Sequence, residues 1–116
     1  MPIKTSSAKA KGRNLQQWVV AHILQVFPKL SPNDCKSTGM GQSGMDVQLS
    51  EAARAKFPYA VECKSNKANS IYKLYDQAVS NKEELEPLLI VKANRRAPLA
   101  VVDAEYFFNT LIGGKK

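Results

Sequence analysis

The fold of this chain is decided by two short stretches, which read SGMDVQL at residues 43–49 and YAVECK at residues 59–64. Both contain alternating apolar and polar residues, the pattern of a β-strand with one buried face. Because successive side chains leave a strand on opposite faces, Glu62 and Lys64 are expected to share one face. The same rule places Asp46 on the polar face of its own strand. We therefore expect the two strands to bring Asp46, Glu62 and Lys64 together.

The side chains expected at this meeting point have the chemistry of a phosphodiester hydrolysis site. Asp46 and Glu62 repel each other on one polar face unless a hard cation lies between them. Mg²⁺ prefers carboxylate oxygens, a backbone carbonyl and retained waters, and the carbonyl of Cys63 follows Glu62 directly. We therefore expect Asp46, Glu62 and the Cys63 carbonyl to bind Mg²⁺ or Mn²⁺. Lys64 can hold an attacking water or a phosphate oxygen, so we expect it to be catalytic together with Asp46 and Glu62.

Around these strands the chain has the pattern of one α/β domain. A chain of 116 residues suits a single domain, because domains most often contain roughly 100–150 residues. Residues 1–10 are polar and rich in Lys, Ser and Ala, so we predict a flexible basic tail followed by a single domain at 11–116. Apolar residues at helical spacing predict a first helix from Lys11 to Phe27, which Pro28 ends. The other predicted elements are strands at 34–38, 43–49 and 59–64, a short helix at 51–56, a helix at 71–82, strands at 87–91 and 99–102, and a final helix that ends at Gly113.

Local signals set the boundaries of the later elements. Ser50, Ser70 and Asp103 each precede a predicted helix and are suited to cap its first amide groups. Residues 87–91 and 99–102 are apolar, β-branched runs of the kind that form buried strands. His22, on an apolar helix face, is interpreted as a packed core residue.

The charge balance favours nucleic acid as a partner. The chain has 17 Lys and Arg against 10 Asp and Glu, a formal net charge of +7. Basic residues bind phosphates and release condensed counterions, although a solvated basic surface explains the charge equally well. The residues that we expect to contact DNA are Lys11, Arg13, Lys36, Ser37, Lys67, Arg95 and Arg96.

Several other classes of protein are disfavoured by the sequence. No apolar run approaches the roughly 20 residues needed to cross a bilayer, and the N-terminus lacks a signal-peptide pattern. Cys35 and Cys63 lack the paired spacing of a zinc site or a disulfide framework. We therefore expect no membrane association and a cytoplasmic location, in the cell or in an infected host.

Four features, in chain order, resemble the PD-(D/E)xK nuclease superfamily. A Lys-Gly pair at 11–12 opens the first helix, GMDV at 44–47 resembles the strand with the acidic metal ligand, and ECK at 62–64 resembles the E-x-K strand. Gln77 lies on the following helix, where these nucleases often carry a Gln. The resemblance is greatest to small Holliday-junction-resolvase-type nucleases of archaea and phages, and it spans roughly residues 11–111.

This resemblance implies a fold and an activity. The fold would be a restriction-endonuclease-like core, with a central mixed β-sheet of about five strands flanked by helices in the order α-β-β-β-α-β-β-α. The activity would be Mg²⁺-dependent endonucleolytic cleavage of branched DNA, such as the Holliday junctions of DNA recombination. Gln77 would join Asp46, Glu62 and Lys64 as a catalytic residue, and the products would carry a 5′-phosphate and a 3′-hydroxyl.

The chain departs from the resolvase pattern at one position in the first helix. Archaeal resolvases carry a Glu four residues after the Lys-Gly glycine, as an additional acidic ligand, and here that position is Gln16. A glutamine can hydrogen-bond a metal-bound water but brings no charge. Met45 also stands where the proline of the motif is usual.

Alternative functions remain open on the sequence alone. The same fold could act on nicks, flaps or mismatches, or the chain could be a non-catalytic DNA-binding module in which Gln16 marks lost catalysis. Asp46, Glu62 and Lys64 could also be ordinary surface charges. The first helix is too apolar for a lone surface helix, so we expect a homodimer that buries part of it or the Phe107/Phe108 face.

Overall fold

The computed structural model describes residues 4–39, 43–65 and 70–114, with side chains from residue 9 onward. It is a mixed α/β fold, as the sequence predicted, with helices packed against two small sheets. The helices are α1 (Lys4–Val26), α2 (Glu51–Lys56), α3 (Ile71–Ser80) and α4 (Ala104–Tyr106), which continues as a π-helix over Phe107–Ile112. The strands are β1 (Cys35–Ser37), β2 (Val47–Leu49), β3 (Tyr59–Ser65), β4 (Glu86–Lys92) and β5 (Leu99–Val101).

The first helix is longer than the sequence predicted. It begins at Lys4, so residues 4–10, which we predicted to be a flexible basic tail, form its first turns. The reason is local, because this segment is rich in Ala and Lys, which favour helix, and contains no proline. The basic residues of this segment therefore lie on the first turns of α1, and among the described side chains of the same helix the buried ones begin at Leu15.

The strands form a two-stranded sheet and a three-stranded sheet, instead of the single central sheet of about five strands that the family resemblance implied. β1 and β2 are antiparallel, β3 and β4 are parallel, and β4 and β5 are antiparallel. The two sheets meet at Asp46, whose amide donates to the carbonyl of Val61 at 3.0 Å. The next amide on that edge of β3, from Cys63, is bound by the side chain of Asp46 instead of by a backbone carbonyl. The Asp46 side chain therefore occupies the position at which a backbone carbonyl would have to accept the Cys63 amide for the two sheets to be continuous.

Helices α1 and α3 pack on opposite faces of the β3–β4 pair. Leu88 and Ile90 of β4 line one groove together with residues of α1. The β3 residues in register with them, Val61 and Cys63, therefore also face α1. Since side chains alternate along a strand, Glu62 and its neighbours of the same parity face α3.

The three predicted helix caps are confirmed. In each, a side-chain oxygen accepts a hydrogen bond from an amide in the first turn, which removes one of the unpaired donors of a helix start. The bonds run from Ala53 N to Ser50 Oγ (3.1 Å), from Tyr72 N to Ser70 Oγ (3.2 Å) and from Tyr106 N to Asp103 Oδ1 (3.0 Å).

The C-terminal part of the chain is more exposed than predicted. β5 lies at the edge of its sheet, and Leu99 is exposed where we predicted a buried strand. The hydroxyl of Tyr106 donates to that of Tyr59 at 2.6 Å, which ties α4 to β3. Phe107 and Phe108 remain exposed beyond this contact. Among the described helices, none is long and apolar enough to cross a membrane.

Candidate active site at the joint between the two sheets

Asp46 is held in place from two sides where the sheets meet. Its Oδ2 accepts the amide N–H of Cys63 at 2.8 Å, and its own amide donates to Val61. On the other side, the amide of Thr38 donates to the carbonyl of Asp46 at 2.9 Å, and the Thr38 hydroxyl donates to the carbonyl of Met45 at 2.6 Å. The carboxylate is therefore fixed against β3, at the amide that lies between Glu62 and Lys64 in the chain.

The Cys63 backbone presents an oxygen at the same edge. Within a β-strand, the N–H and C=O of one residue point to the same side, so the Cys63 carbonyl leaves β3 on the edge where its N–H meets Asp46. Its thiol lies on the face towards α1, where burial, with the charge of Asp46 as a smaller cause, raises its pKa. The thiol is therefore a neutral packed group, and the carbonyl is the part of Cys63 that can serve the site.

Glu62 is an acid that the fold has buried. Its side chain lies in the layer towards α3, and only 5% of the residue is exposed. Burial first, and the charge of Asp46 second, raise the pKa of Glu62 from 4.5 to about 7. The charge of Lys64 and the side chain of Asn81 act in the opposite direction. Near neutral pH, this carboxyl group is therefore balanced between its two protonation states.

The pKa of Asp46, like that of Glu62, is raised mainly by burial. The hydrogen bond from the Cys63 amide and the charge of Lys64 lower it. The charge of Asp46 acts on Glu62, and the charge of Lys64 acts on both carboxyl groups, so the structure brings these three predicted residues close to one another, as the strand pattern indicated.

The donors at this joint suit a hard divalent cation. Two carboxylates and a backbone carbonyl are oxygen ligands of the kind that Mg²⁺ and Mn²⁺ bind. A cation between Asp46 and Glu62 would also offset the repulsion that raises the pKa of Glu62. Across the described residues, no group of three or more His, Cys, Asp and Glu side chains forms a metal cluster. The rest of the coordination shell would therefore come from water and substrate, which Mg²⁺ tolerates well.

Helix α3 contributes a polar residue that sequence reasoning missed. Gln77, the predicted catalytic residue on this helix, is exposed to solvent. Asn81, the C-cap of α3, is the residue whose side chain lowers the pKa of Glu62. It lies three residues after the buried Ala78, so it belongs to the inward face of the helix. That spacing is the signal that could have identified it.

Within the part of the chain that the structure describes, Gln16 is one of the few buried polar residues, with 8% of its surface exposed. It lies on α1, which packs against β1 and β3. Because Glu62 faces α3, the two residues belong to opposite layers of the sheet. The predicted role of Gln16 as a first-helix site position stays a prediction.

The predicted DNA-contacting residues fall into two groups. Lys11 and Arg13 are exposed on α1, and the Lys11 amine donates to Asn94 Oδ1 at 2.9 Å. That contact brings α1 next to the exposed Arg95 and Arg96 of the β4–β5 connection. The second group comprises the exposed Lys36 and the half-buried Ser37, both on β1, whereas Lys67 lies outside the described residues.

One aromatic residue of α1 differs from expectation. His22, predicted to be packed in the core, is exposed, and its Nδ1 lies 2.8 Å from the carbonyl of Trp18. The two rings stack with centroids 3.9 Å apart. The helix surface that carries them is apolar in sequence but is not covered by the rest of the described chain, and for that reason the core prediction for His22 was wrong.

Comparisons of this chain with protein-family models, with curated proteins and with solved structures found no match.

Proposed function

We propose that this chain is a metal-dependent DNA endonuclease that uses a PD-(D/E)xK-type site. The observation that carries the proposal is the bond of 2.8 Å between Asp46 Oδ2 and the Cys63 amide. It holds one carboxylate beside the strand that presents Glu62 and Lys64. An arrangement of two acids, a backbone carbonyl and one lysine has a direct use in phosphodiester hydrolysis, where charge must be offset on a phosphate.

Each residue would have a distinct task. Asp46 and Glu62, with the Cys63 carbonyl, would hold Mg²⁺ or Mn²⁺, which supplies Lewis-acid stabilisation of the charge that develops on the phosphate. Lys64 would orient the attacking water and favour its anionic form, because a nearby cation stabilises an anion. Asn81 would fix the Glu62 side chain by donating a hydrogen bond to it. Hydrolysis would leave a 5′-phosphate and a 3′-hydroxyl.

The substrate that we propose is branched DNA, with the Holliday junction as the first choice. The Lys11, Arg95 and Arg96 group offers a positive surface for phosphates, which supports nucleic acid as the partner. A two-fold homodimer would space two copies of the site, and a four-way junction also has paired strands. Nicks, flaps and other DNA structures are the alternative substrates for the same chemistry.

The first experiment separates an enzyme from a DNA-binding module. Supercoiled plasmid is incubated with the wild-type protein in Mg²⁺, in Mn²⁺ and in EDTA, beside the Lys64→Ala variant. Lys56→Ala is the matched control, since it removes an exposed lysine at the end of α2. We expect nicking with either metal by the wild type and by Lys56→Ala, and none by Lys64→Ala or in EDTA. Equal nicking by Lys64→Ala, or full activity in EDTA, would overturn the proposal.

The second experiment identifies the substrate. End-labelled four-way junction, flap, nicked duplex and linear duplex of matched length are compared under single-turnover conditions. We expect the junction to be cleaved fastest, with paired symmetric cuts. Faster cleavage of the flap or of the nicked duplex would keep the chemistry and replace the substrate.

A further inference from the structure

A cleft of about 270 Å³ opens beside the carboxyl ends of β3 and β4, apart from the carboxylates of the candidate site. Its walls come from three parts of the chain. Lys11 and Trp18 line it from α1, Ser65 and Lys92 from the last positions of the two strands, and Asn94 from the β4–β5 connection. The cleft therefore lies where parallel strands end against a helix, a common position for ligand sites in α/β folds.

One wall of this cleft is fixed by a hydrogen bond across the fold. The Lys11 amine donates to Asn94 Oδ1 at 2.9 Å, which joins α1 to the β4–β5 connection. The turn that follows is closed by the amide of Arg96, which donates to the carbonyl of Ala93 at 3.1 Å. Arg95, in the middle of the turn, has a positive φ of 64°. The turn thus holds two arginines close to the mouth of the cleft.

The lining combines positive charge with a flat apolar surface. Lys11 and Lys92 line the cleft, and its described walls contain no Asp or Glu. Trp18 is 41% exposed, and its ring is oriented by stacking on His22. Lysines attract a phosphate group, and an exposed indole stacks on the face of a nucleobase of any sequence. A nucleotide offers both features, whereas inorganic phosphate or a purely apolar molecule would use only one of them.

The position of the cleft connects it to the proposed chemistry. Ser65 follows Lys64 directly, and β3 ends there. By strand alternation, Ser65 lies on the α1 face and Lys64 on the α3 face. A DNA strand that passes around this end of the sheet can therefore meet the candidate site on one face and the cleft on the other.

We propose that this cleft binds an unpaired nucleotide of the DNA substrate, with its base stacked on Trp18 and its phosphate held by Lys11 and Lys92. This inference rests on the proposed function only for the identity of the bound strand as the substrate. The base must be unpaired, because a base inside a duplex offers its face to neighbouring bases and not to a protein side chain. A four-way junction supplies such bases where the pairs at its branch point open, and a flap supplies them in its single strand.

The experiment uses the chain's single tryptophan as the reporter. Because Trp18 is the one Trp of the sequence, its fluorescence reports on the cleft without any label. Thymidine pentanucleotide is titrated into the full-length protein in EDTA, so that binding is measured without cleavage. We expect saturable quenching of Trp18 and protection from acrylamide, with Lys11→Ala and Lys92→Ala each weakening the affinity about fivefold.

Matched variants separate the cleft from general charge and from folding. Lys29→Ala removes an exposed lysine beyond the other end of α1, about 20 Å or more from Lys11 at a rise of ~1.5 Å per residue. It should leave the titration unchanged. Trp18→Ala, followed by anisotropy of a fluorescein-labelled pentanucleotide, should weaken binding roughly tenfold while the thermal unfolding stays cooperative. A Trp18→Phe variant, which keeps an aromatic face, should recover most of that loss.

The outcomes distinguish this inference from the proposed function. One outcome is that the pentanucleotide still quenches Trp18 in Lys64→Ala and Glu62→Gln while the wild-type protein cleaves no DNA. That outcome would support the cleft inference and overturn the nuclease proposal. Cleavage by the wild type with no quenching by the pentanucleotide would overturn the cleft inference. Inorganic phosphate or a blunt duplex that competes as well as the pentanucleotide, at equal phosphate concentration, would also overturn it, because the unpaired base would then contribute nothing.

Discussion

Asp46 takes the place of a neighbouring strand for Cys63: its Oδ2 accepts the Cys63 amide at 2.8 Å, where a β-ladder would offer a backbone carbonyl. One carboxylate therefore replaces a strand-to-strand hydrogen bond where the two sheets meet, and it also stands beside Glu62 and Lys64. The structural role needs only an acceptor oxygen, whereas the proposed catalytic role needs the negative charge. The two roles can be separated by substitution.

The first prediction uses this separation. Asp46→Asn keeps a side-chain oxygen for the Cys63 amide, so its free energy of unfolding should stay near that of the wild type while cleavage is abolished. Its affinity for DNA should be unchanged or slightly higher, because a negative charge near phosphate is lost. Asp46→Ala removes the acceptor and should also destabilise the fold by about 1–3 kcal/mol. Urea unfolding and plasmid nicking measure the two effects.

The control for this prediction is Asp76→Ala, which removes an exposed carboxylate on α3. This variant should change neither the free energy of unfolding nor the rate of plasmid nicking. If Asp46→Asn were as unstable as Asp46→Ala, the charge itself would be needed for the fold, and the separation of roles would be wrong.

The second prediction concerns the pH dependence of stability. Because the pKa of Glu62 is raised from 4.5 to about 7 on folding, its contribution to stability is fully present below pH 4.5 and is lost as the pH rises through about 7. Glu62→Gln, which stays neutral, should therefore gain stability relative to the wild type as the pH rises from 4.5, and the gain should reach up to ~3 kcal/mol at pH 8 in EDTA. Thermal unfolding of both proteins from pH 4.5 to pH 8 gives the difference.

Added Mg²⁺ provides the internal test of this second prediction. A cation held by Glu62 favours the ionised form, so millimolar MgCl₂ should stabilise the wild type at pH 8 and narrow its difference from Glu62→Gln. Glu105→Gln, at an exposed position of α4, is the control and should show neither effect. A difference between wild type and Glu62→Gln that does not vary with pH would contradict the raised pKa.

The third prediction compares the two polar residues of α3. The side chain of Asn81 lowers the pKa of Glu62, so Asn81→Ala should raise that pKa and move the rising limb of the cleavage pH profile to higher pH. Gln77→Ala should leave the position of that limb unchanged, because Gln77 is exposed. Single-turnover cleavage rates between pH 6 and pH 9 measure both. A shift caused by Gln77→Ala and not by Asn81→Ala would assign Gln77, and not Asn81, to the site.

The fourth prediction concerns assembly. An apolar groove of about 290 Å³ runs between α1 and β4, lined by Trp18, Ile23, Val26 and Leu88 among others. Val26 is 66% exposed, so Val26→Asp should leave the monomer folded while it places a charge in the groove. If the predicted homodimer buries this face, light scattering should show a dimer for the wild type and a monomer for Val26→Asp.

The other predicted dimer face is tested in parallel. Phe108 is 65% exposed, and Phe108→Asp is the corresponding variant there. Trp18 lines the nucleotide cleft as well as the apolar groove, but Val26 lines only the groove and lies about 12 Å further along α1, so Val26→Asp places its charge away from the cleft. A wild-type monomer at micromolar concentration that cleaves junctions fully would remove the reason for expecting a dimer.

The sequence by itself determined those features that depend on neighbours within a few residues. The caps at Ser50, Ser70 and Asp103 form as predicted, because each side chain bonds an amide two or three residues away. The alternation in residues 59–64 was sufficient to predict the strand and to place Glu62 and Lys64 on one face. The neighbourhood of Asp46, Glu62 and Lys64 was predicted from the same alternation.

Tertiary structure alone decided how these elements meet. The two sheets are separate because the Asp46 side chain, and not a backbone carbonyl, binds the Cys63 amide of β3. No local pattern in the sequence predicts which of these two acceptors binds the amide. Asn81 contributes to the site because α3 lies over Glu62, and His22 is exposed because no described element covers that side of α1. Local hydrogen bonds and the alternation of side chains along a strand depend on consecutive residues. Burial, the interaction between charges and the continuity of a sheet depend on contacts between segments that are distant in the sequence.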